Sequence, residues 1–495
     1  MMISHSIKRS FGLHLGLAVA FSILSPLPGK AGDQLAAQPP PPPPVTKIAE
    51  GNFLSFWDGR LVIDIEERVR VEWRENTRDF DSSLSDDNDD SWILNRFRFG
   101  LAVKPVSWLK VYGQSQDSRE ADSDRANIPG IRSAEGDDEW DLRQGYIALG
   151  DLKKFPLLFT IGRQAITYGD GRLVADSRWG NFGRTFDALR IRWEKQYYFW
   201  IEAFAMRPVQ ILRHEFNDSD SADNFFGTYF STDYGTKQAI DFYVYYRHKD
   251  DNQPNLDPTN RVDPQGTYNG PAGHYATLGA RTKNTSDKLN GWDYAGEFAY
   301  QVGTVFLTDT NSQSFNLNAF ALAVAGGYTW KDHPWKPRVG IEFDYATGDN
   351  DPTDGNSQSF QNLFPSNHDK YGLMDEFSWR NIQDLRFLQV NVKPLKKLEL
   401  QFNAHAFWLA NTHDYWYRSN GNSILRTRTP DGQDVRTIGA PRSAGQELDL
   451  IATYTWTKNI QVQGGFSHFF AGPYLRATGP ASDANFGYGM INFTF

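Results

Sequence analysis

The segment Ile63–Arg74 reads IDIEERVRVEWR and carries two kinds of side chain at alternating positions. Apolar residues occupy the odd positions, with Glu67 as the exception, and charged residues occupy every even position from Asp64 onward. A period of two puts successive side chains on opposite faces of an extended chain. The segment is therefore predicted to be a β-strand with one apolar face and one charged face.

The same alternation recurs from one end of the chain to the other, for example in 95–103, 189–194 and 338–345. Eighteen strands are predicted, near 61–75, 91–103, 108–117, 139–150, 156–166, 186–194, 198–207, 226–233, 239–248, 274–284, 291–304, 316–330, 336–349, 384–395, 398–410, 445–456, 460–472 and 485–495. The breaks between them tend to alternate: 396–397 is short, whereas 350–383 is long.

Alternating short turns and long loops are typical of an up-and-down barrel whose apolar face meets lipid and whose polar face lines a lumen. We predict an all-β, antiparallel transmembrane barrel of about 18 strands, with 16 strands as the alternative. A soluble multi-domain β protein is the competing fold. It does not explain why a charged strand face recurs along the full length.

The composition agrees with strands rather than with helices or disorder. Aromatic residues make up 15% of the 495 residues, and disordered chains are poor in them. Beyond residue 31 the longest apolar stretch, 319–328, is far shorter than the ~18 residues that a membrane-spanning helix needs. A net charge of −9 argues against nucleic-acid binding, and the lack of cysteine excludes disulfides and thiolate metal sites.

The N-terminal segment predicts export from the cytoplasm. Lys8 and Arg9 precede a mostly apolar stretch, 11–27, and small residues follow it, as in a secretory signal peptide. A short membrane anchor is the alternative interpretation. Six consecutive prolines then form an extended spacer. The predicted organisation is a signal peptide at 1–31, a Pro-rich periplasmic linker at 32–50 and an outer-membrane barrel at 51–495.

The C-terminal segment predicts the destination of the barrel. Ile491, Phe493 and Phe495 alternate on one face, a pattern that resembles the signal read by the barrel-assembly machinery of the bacterial outer membrane. Tryptophans near strand ends, such as Trp140 and Trp335, suit interfacial girdles. We therefore expect contacts with outer-membrane lipid, lipopolysaccharide and that machinery.

Arginines dominate the strand faces predicted to point inward. They are Arg68, Arg70, Arg74, Arg96, Arg98, Arg143, Arg190, Arg192 and Arg338. Acidic residues lie among them, including Glu66, Glu72, Glu342, Asp344, Glu447 and Asp449. Guanidinium groups bind carboxylates bidentately, so one interpretation is a positive track for an anionic solute. The other is a self-neutralising lattice that stiffens the wall.

Several motifs resemble the alginate export family of outer-membrane proteins, in the same order and over most of the chain. They are GRQ at 162–164, WGNFGRTFDAL at 179–189, LRQGY at 142–146, YATGDNDPTDG at 345–355, FQNLFPSNHDKYGLMD at 360–375 and GQELDL at 445–450. The resemblance implies a monomeric 18-stranded barrel with an arginine-lined pore for acidic polysaccharide. Arg98 and Arg143 match pore arginines of the family, and Asn181 and Asp187 fall in the segment that lines the constriction.

The chain departs from the family pattern at Gln461 and Gln463, where arginines are expected, and at Ala165, where a basic residue is expected. Arg184 adds a positive charge. A pore with fewer fixed arginines would accept a less charged sugar or another small anion.

We therefore expect passive transport, in the export direction, of an anionic polysaccharide or oligosaccharide such as alginate or a related uronate polymer. An uptake porin for small anions or oligosaccharides is the alternative. Periplasmic export partners are expected, and enzymatic activity, catalytic residues, metal sites and cofactors are not. The predicted pore-lining residues are Arg68, Arg70, Arg74, Arg96, Arg98, Arg143, Arg163, Asn181, Arg184, Asp187, Arg190, Arg192, Arg338, Glu342, Glu447 and Asp449.

The stretch 411–444 is far longer than a hairpin needs, and such loops are usually functional or disordered. It carries an excess of arginine over aspartate between Arg418 and Arg442. We expect it either to fold inward toward acidic wall residues and occlude the pore, or to contact lipopolysaccharide phosphates.

Overall fold

The computed structural model describes residues 54–77, 80–83, 89–123, 137–195, 198–212, 215–232, 238–250, 272–306, 314–421 and 424–495. The predicted signal peptide and the Pro-rich linker lie outside the described residues.

Eighteen strands of eight residues or more cover most of this described part. In chain order, β1 to β18 are Leu61–Glu75, Asp90–Val106, Leu109–Ala121, Asp138–Leu149, Leu157–Gln164, Phe186–Lys195, Phe199–Gln210, Asp223–Thr232, Ala239–Lys249, Gly273–Lys283, Trp292–Phe306, Ser314–Thr329, Arg338–Ala346, Ile382–Leu395, Leu398–Leu409, Ser443–Thr457, Ile460–Ala471 and Ala484–Thr494. One short helix, α1 (Pro473–Thr478), lies between β17 and β18. Within the described residues, no helix is long and apolar enough to cross a membrane.

Each strand pairs antiparallel with its chain neighbours, and the sheet closes on itself. β1 pairs with β18 from Glu66 opposite Thr494 to Glu75 opposite Asn485. The prediction of an antiparallel up-and-down barrel of about 18 strands is therefore confirmed. The short connections, such as 396–397, lie at one end, and the long ones lie at the other, which faces the outside in outer-membrane barrels.

Several strand boundaries differ from the prediction by three or four residues. β3 extends to Ala121, which pairs with Ile93, although the polar residues near its end resemble a loop. β13 ends at Ala346 rather than at 349, because the Thr347 hydroxyl takes the place of the Thr347 carbonyl as acceptor for the Phe320 N–H, and that carbonyl accepts from Phe360 instead.

The alternation of side chains separates a lipid-facing surface from a lumenal one. In β1 the even positions from Arg68 to Arg74 are buried, whereas Val71 and Trp73 on the odd positions are exposed. Tryptophans near strand ends are prominent on the outside, where Trp140 is 56% exposed and Trp335 is 53% exposed. This is the aromatic girdle expected at the two membrane interfaces.

Two long loops fill the lumen at the long-loop end. We name 165–185, between β5 and β6, loop A, and 347–381, between β13 and β14, loop B. Loop A is anchored by Tyr168, whose ring stacks 4.8 Å from that of Tyr229 on β8. Loop B is anchored by Phe377, whose ring stacks 4.1 Å from that of Phe407 on β15. The apolar core of the molecule thus lies inside the barrel, between these loops and the wall.

Candidate functional site in the barrel lumen

Six arginines form a cluster on the inner face of β1, β2 and β4, and all are 7% exposed or less. This arginine cluster consists of Arg68, Arg70, Arg74, Arg96, Arg98 and Arg143. Alternation brings these side chains to one face of each strand, and the register aligns them between strands. Arg68 lies directly opposite Arg96, and Glu66 lies opposite Arg98.

Loop A supplies the oxygens that face this cluster. Arg68 donates to the carbonyls of Arg178 and Trp179, both at 3.0 Å. Arg70 donates to the Trp179 carbonyl at 2.6 Å, and Arg96 donates to the Gly180 carbonyl at 2.9 Å. Neutral backbone oxygens of loop A thus accept hydrogen bonds from the guanidinium groups.

Two glutamates of the wall form ion pairs with the cluster. Glu66 pairs with Arg96, and also with Arg98 at 3.4 Å. Glu72 pairs with Arg70 at 2.6 Å and with Arg74 at 3.4 Å. These two glutamates pair with four of the six arginines, whereas Arg68 and Arg143 form no ion pair with the described residues of the wall.

Asp176 of loop A offsets part of this charge. Burial raises the pKa of its carboxyl, but Arg178 and Arg143 lower it more, so the pKa lies below its usual value and the group is ionised. Asp176 also accepts from Arg178 at 2.9 Å. The cluster therefore holds both neutral carbonyls and one carboxylate of the same loop.

Two of the predicted pore residues belong to loop A and its junction with β6. Asn181 is 1% exposed and accepts from Arg68 at 3.2 Å. Arg184 donates to the carbonyls of Ala175 at 3.1 Å and Pro365 at 2.8 Å, and so ties loop A to loop B. Both lie inside the barrel, where they hold the loops.

Arg190 and Arg192 lie on the inner face of β6, but they share one acidic partner. Glu202 on β7 accepts from Arg190 at 2.7 Å and from Arg192 at 2.9 Å. Tyr168 of loop A donates to the same carboxylate at 2.6 Å. This group fixes the base of loop A.

An acidic side of the wall, on β13 to β16, presents carboxylates that accept from guanidinium and N–H groups of the loops. Its members are Glu342, Asp344, Asp384, Glu447 and Asp449. Arg172 of loop A pairs with Glu342, and with Asp344 at 2.8 Å. The backbone N–H of Met374 in loop B donates to Glu447 at 3.0 Å.

Three carboxylates also make contacts between strands of the wall. Arg386 pairs with Glu342 at 3.0 Å. Asp449 accepts from Ser467 at 2.5 Å. Nearer the short-turn end, Arg338 forms a bidentate pair with Asp293, at 2.6 and 2.8 Å.

Arg163 and Asp187 were predicted to line the lumen, and the structure places them on the outer face instead. They lie opposite each other on β5 and β6 and form an ion pair at 2.9 Å. Their faces are shared with the exposed Ile161 and Leu189, whereas the adjacent Gln164 is buried toward the interior. Side chains that are an odd number of residues apart in a strand lie on opposite faces. Arg190 faces inward and is three residues from Asp187, so Asp187 faces outward.

Loop contacts also include residues that sequence reasoning did not single out. The ring of Trp179 lies between the guanidinium of Arg70, at 3.8 Å, and the ring of His368 in loop B, at 3.5 Å. His368 in turn contacts Asp375 at 2.7 Å. Trp179 stands in a quoted family motif, but its contact with a residue almost 200 positions away has no local signal.

The described part of the loop 410–442, here loop C, packs on loop B, and the described ion pairs of its arginines are with loop residues rather than with acidic wall residues. Trp416 donates to the Glu376 carbonyl at 2.8 Å, and Arg418 pairs with Glu376 at 3.2 Å. Arg436 pairs with Asp434 of its own loop at 2.7 Å. The expected inward contacts are made by loops A and B.

Comparison with known proteins places this lumen in context. A family model described as alginate export matches residues 61–488. Among solved structures, OccK1 (OpdK) of Pseudomonas aeruginosa has a TM-score of 0.55 at 10% identity, over 88% of this chain and 98% of that chain. OprD of the same organism has a TM-score of 0.52 at 9% identity, over 88% and 95%.

At such identity the likeness shows the fold alone, and sequence comparison with curated proteins gave no match. The family match spans most of the barrel strands, and it agrees with the closed antiparallel architecture. Both findings support a channel in the bacterial outer membrane. The chain belongs to the alginate export family.

Proposed function

We propose that the protein is a passive outer-membrane channel for an anionic saccharide, either a uronate polymer or its oligomers, which passes along the arginine cluster. The observation that carries the proposal is the cluster of six buried arginines, in which Arg68 and Arg143 have no ion-pair partner among the described wall residues and which loop A meets mainly with neutral carbonyl oxygens.

Charge-assisted hydrogen bonds are about twice as strong as neutral ones, and carboxylates bind guanidinium forks bidentately. A uronate carboxylate is therefore a better partner for Arg68 or Arg96 than the loop A carbonyls are. An arriving anionic chain competes with the loop for the arginines, and its binding favours the conformation in which loop A has left the wall.

An uptake porin for small anions is the second candidate. OpdK of P. aeruginosa, which shares the fold, has been solved with vanillate. An arginine cluster would attract either solute. The direction of a passive pore follows the solute gradient, so the two candidates differ in solute and not in charge selectivity.

Both candidates require that the arginine cluster sets charge selectivity. The test uses a parent variant in which a Gly/Ser linker replaces 169–183 and so shortens loop A. Arg98 and Arg143 are then both replaced with Glu in this parent. We expect the parent to favour anions in planar bilayers under asymmetric KCl, and the double variant to shift the reversal potential toward cations, because fixed charges in a narrow pore set selectivity.

The matched control is Arg119→Glu with Arg207→Glu, which changes the same charges on the exposed outer face. It should leave the reversal potential unchanged. If the lumenal pair shifts the potential no more than this control does, the arginine cluster is a structural element and the proposal is wrong.

A further inference from the structure

The inner face of the barrel changes chemistry between the arginine cluster and the neighbouring strands β14, β15, β17 and β18. Toward the short-turn end, six primary amides lie on this face, near the ion pairs of Lys393 with Glu399 and of Arg338 with Asp293. This amide face consists of Gln389, Asn391, Gln401, Gln461, Gln463 and Asn492. All six are half-buried or exposed, whereas the arginines beside them are buried under loop A.

Register places these amides on the lumenal face in two groups, which Ile451 and Thr453 of β16 separate. Asn391 lies directly opposite Gln401. Gln401 is four residues before His405, whose side chain is buried against Asp384 inside the barrel, so the two share a face. Gln463 accepts from Tyr488 at 3.0 Å and donates to Thr453 at 2.9 Å, and both partners are lumenal.

The amide face continues directly into the arginine cluster. Gln461 lies opposite Asn492, and Asn492 lies opposite Arg68 on the next strand. Two strand spacings separate Gln461 from Arg68, which is about 10 Å. This is a distance that a disaccharide can span.

The amides retain hydrogen-bonding capacity after their contacts within the wall are counted. A primary amide has two donors and two acceptor lone pairs. Gln401 uses one donor on the Asn403 oxygen, at 3.2 Å, and stays half-buried. Gln461 is exposed. Polar groups of this kind that converge on a lumen are what fixes the orientation of a hydroxylated ligand.

We infer that the amide face is a hydroxyl-binding subsite, so that the solute is a saccharide whose carboxylates meet the arginines and whose hydroxyls meet the amides. This inference rests on the proposed function and narrows it. Arginines alone select charge. Neutral amides cannot attract a simple anion, but they can pair with vicinal hydroxyl groups.

The test compares two probes with three carboxylates each: trigalacturonate, which carries hydroxyl groups, and tricarballylate, which carries none. Isothermal titration calorimetry on the detergent-purified protein should show trigalacturonate binding at least tenfold more tightly. Replacing Gln461 and Gln463 with Met keeps their length and removes their hydrogen bonds. We expect this variant to lose most of that preference while its affinity for tricarballylate changes less than twofold.

Gln446→Met, on the exposed outer face of β16, is the matched control and should retain the preference. Heat-modifiable migration on gels verifies that each barrel is folded, and Gln401→Met serves as an independent variant if the double variant does not fold. Equal binding of the two probes by the parent, or an unchanged preference in a folded amide variant, overturns the inference.

These failures are distinguishable from failure of the proposed function. An unchanged preference with an intact effect of Arg98→Glu and Arg143→Glu on reversal potential rejects the amide subsite alone. Maltotriose, which is neutral, tests the remaining case, in which the proposed function fails and the amide subsite holds. If it binds as tightly as trigalacturonate, the amides recognise sugars but the arginines do not select anions.

Discussion

At the scale of single residues, the chemistry of arginine explains why the wall tolerates so many buried charges. A buried guanidinium is costly unless its donors are satisfied. Arg68 meets most of this requirement, because three loop A carbonyls and the Asn181 oxygen accept from its two terminal nitrogens. The planar fork reaches several acceptors at once, which a lysine ammonium does less well. The same forks remain suited to carboxylates.

A titratable residue in loop B allows a test of loop packing by pH. Burial, and then the neighbouring Asp414, raise the pKa of Asp349 to about 6. A folded-state pKa above the ordinary value means that Asp349 costs stability once it ionises, so stability is lost as pH rises from ~4 through 6. Asp349→Asn should therefore stabilise loop B at pH 7.5, by up to ~2 kcal/mol, and have little effect at pH 4.5.

The rate of limited proteolysis at Lys370 and Arg380, as a ratio of variant to wild type at each pH, measures this effect. The ratio removes the pH dependence of the protease itself. A variant that is cleaved faster at both pH values would mean that the bond from the Asp351 N–H to the Asp349 carboxylate matters more than its charge.

Sequence periodicity predicted the inward direction of Arg98 because β2 alternates without interruption. It did not place Arg163 or Asp187. These were assigned to the lumen from a family motif, and the alternation of β5 and β6 puts them on the outside. The direction of Arg143 is harder to predict from periodicity than that of Arg98. The register of β3 and β4 shifts between Gln114 and Ser115, which disturbs the alternation around Arg143.

At the scale of elements, the strands could be predicted and the packing of the loops could not. A strand can be recognised from the local alternation of apolar and polar residues, and a turn from its local composition. Loop A is held by contacts such as that between Arg68 and Trp179, more than 100 residues apart. Such contacts form only once the barrel has closed. The prediction therefore considered an inward fold for loop C, whose arginines were visible in the sequence, with a contact to lipopolysaccharide as the alternative.

The contact between loops A and B yields a prediction about gating. Trp179 stacks on His368 and receives the guanidinium of Arg70 on its other face. Removing the ring with Trp179→Ala should cost about 1–3 kcal/mol of closed-state stability. A shift of that size raises the equilibrium ratio of open to closed states by roughly 5- to 160-fold, which single-channel recordings would detect as an increase in open probability.

Trp140→Ala is the control, because it removes an exposed ring from the outer girdle and leaves the lumen unchanged. Recordings in which both variants gate like wild type would show that the stack does not hold the loops together.

At the scale of the whole molecule, charge is divided between two sides of the wall. The cluster of six arginines lies on β1, β2 and β4, and a group of five carboxylates lies on β13 to β16. Loop A fits both sides, since its carbonyls meet the arginines and its Arg172 meets Asp344. The overall charge of −9 conceals this division, because composition sums charges that the fold keeps apart.

This division predicts which loop controls conductance. The described bonds from the arginine cluster to the loops run to loop A and, through Arg74, to Met374 of loop B, whereas loop C packs on loop B. Exchanging 169–183 for a Gly/Ser linker should therefore raise single-channel conductance severalfold. Deleting 420–440 from loop C should raise it much less.

Both variants should stay heat-modifiable on gels, because the strand register that closes the barrel does not involve either loop. A steep rise in conductance after the loop C deletion alone would place the barrier in loop C. If the loop A variant folds and conducts like wild type, loop B must close the lumen by itself, through its contacts with Glu447 and the aromatic core around Phe377.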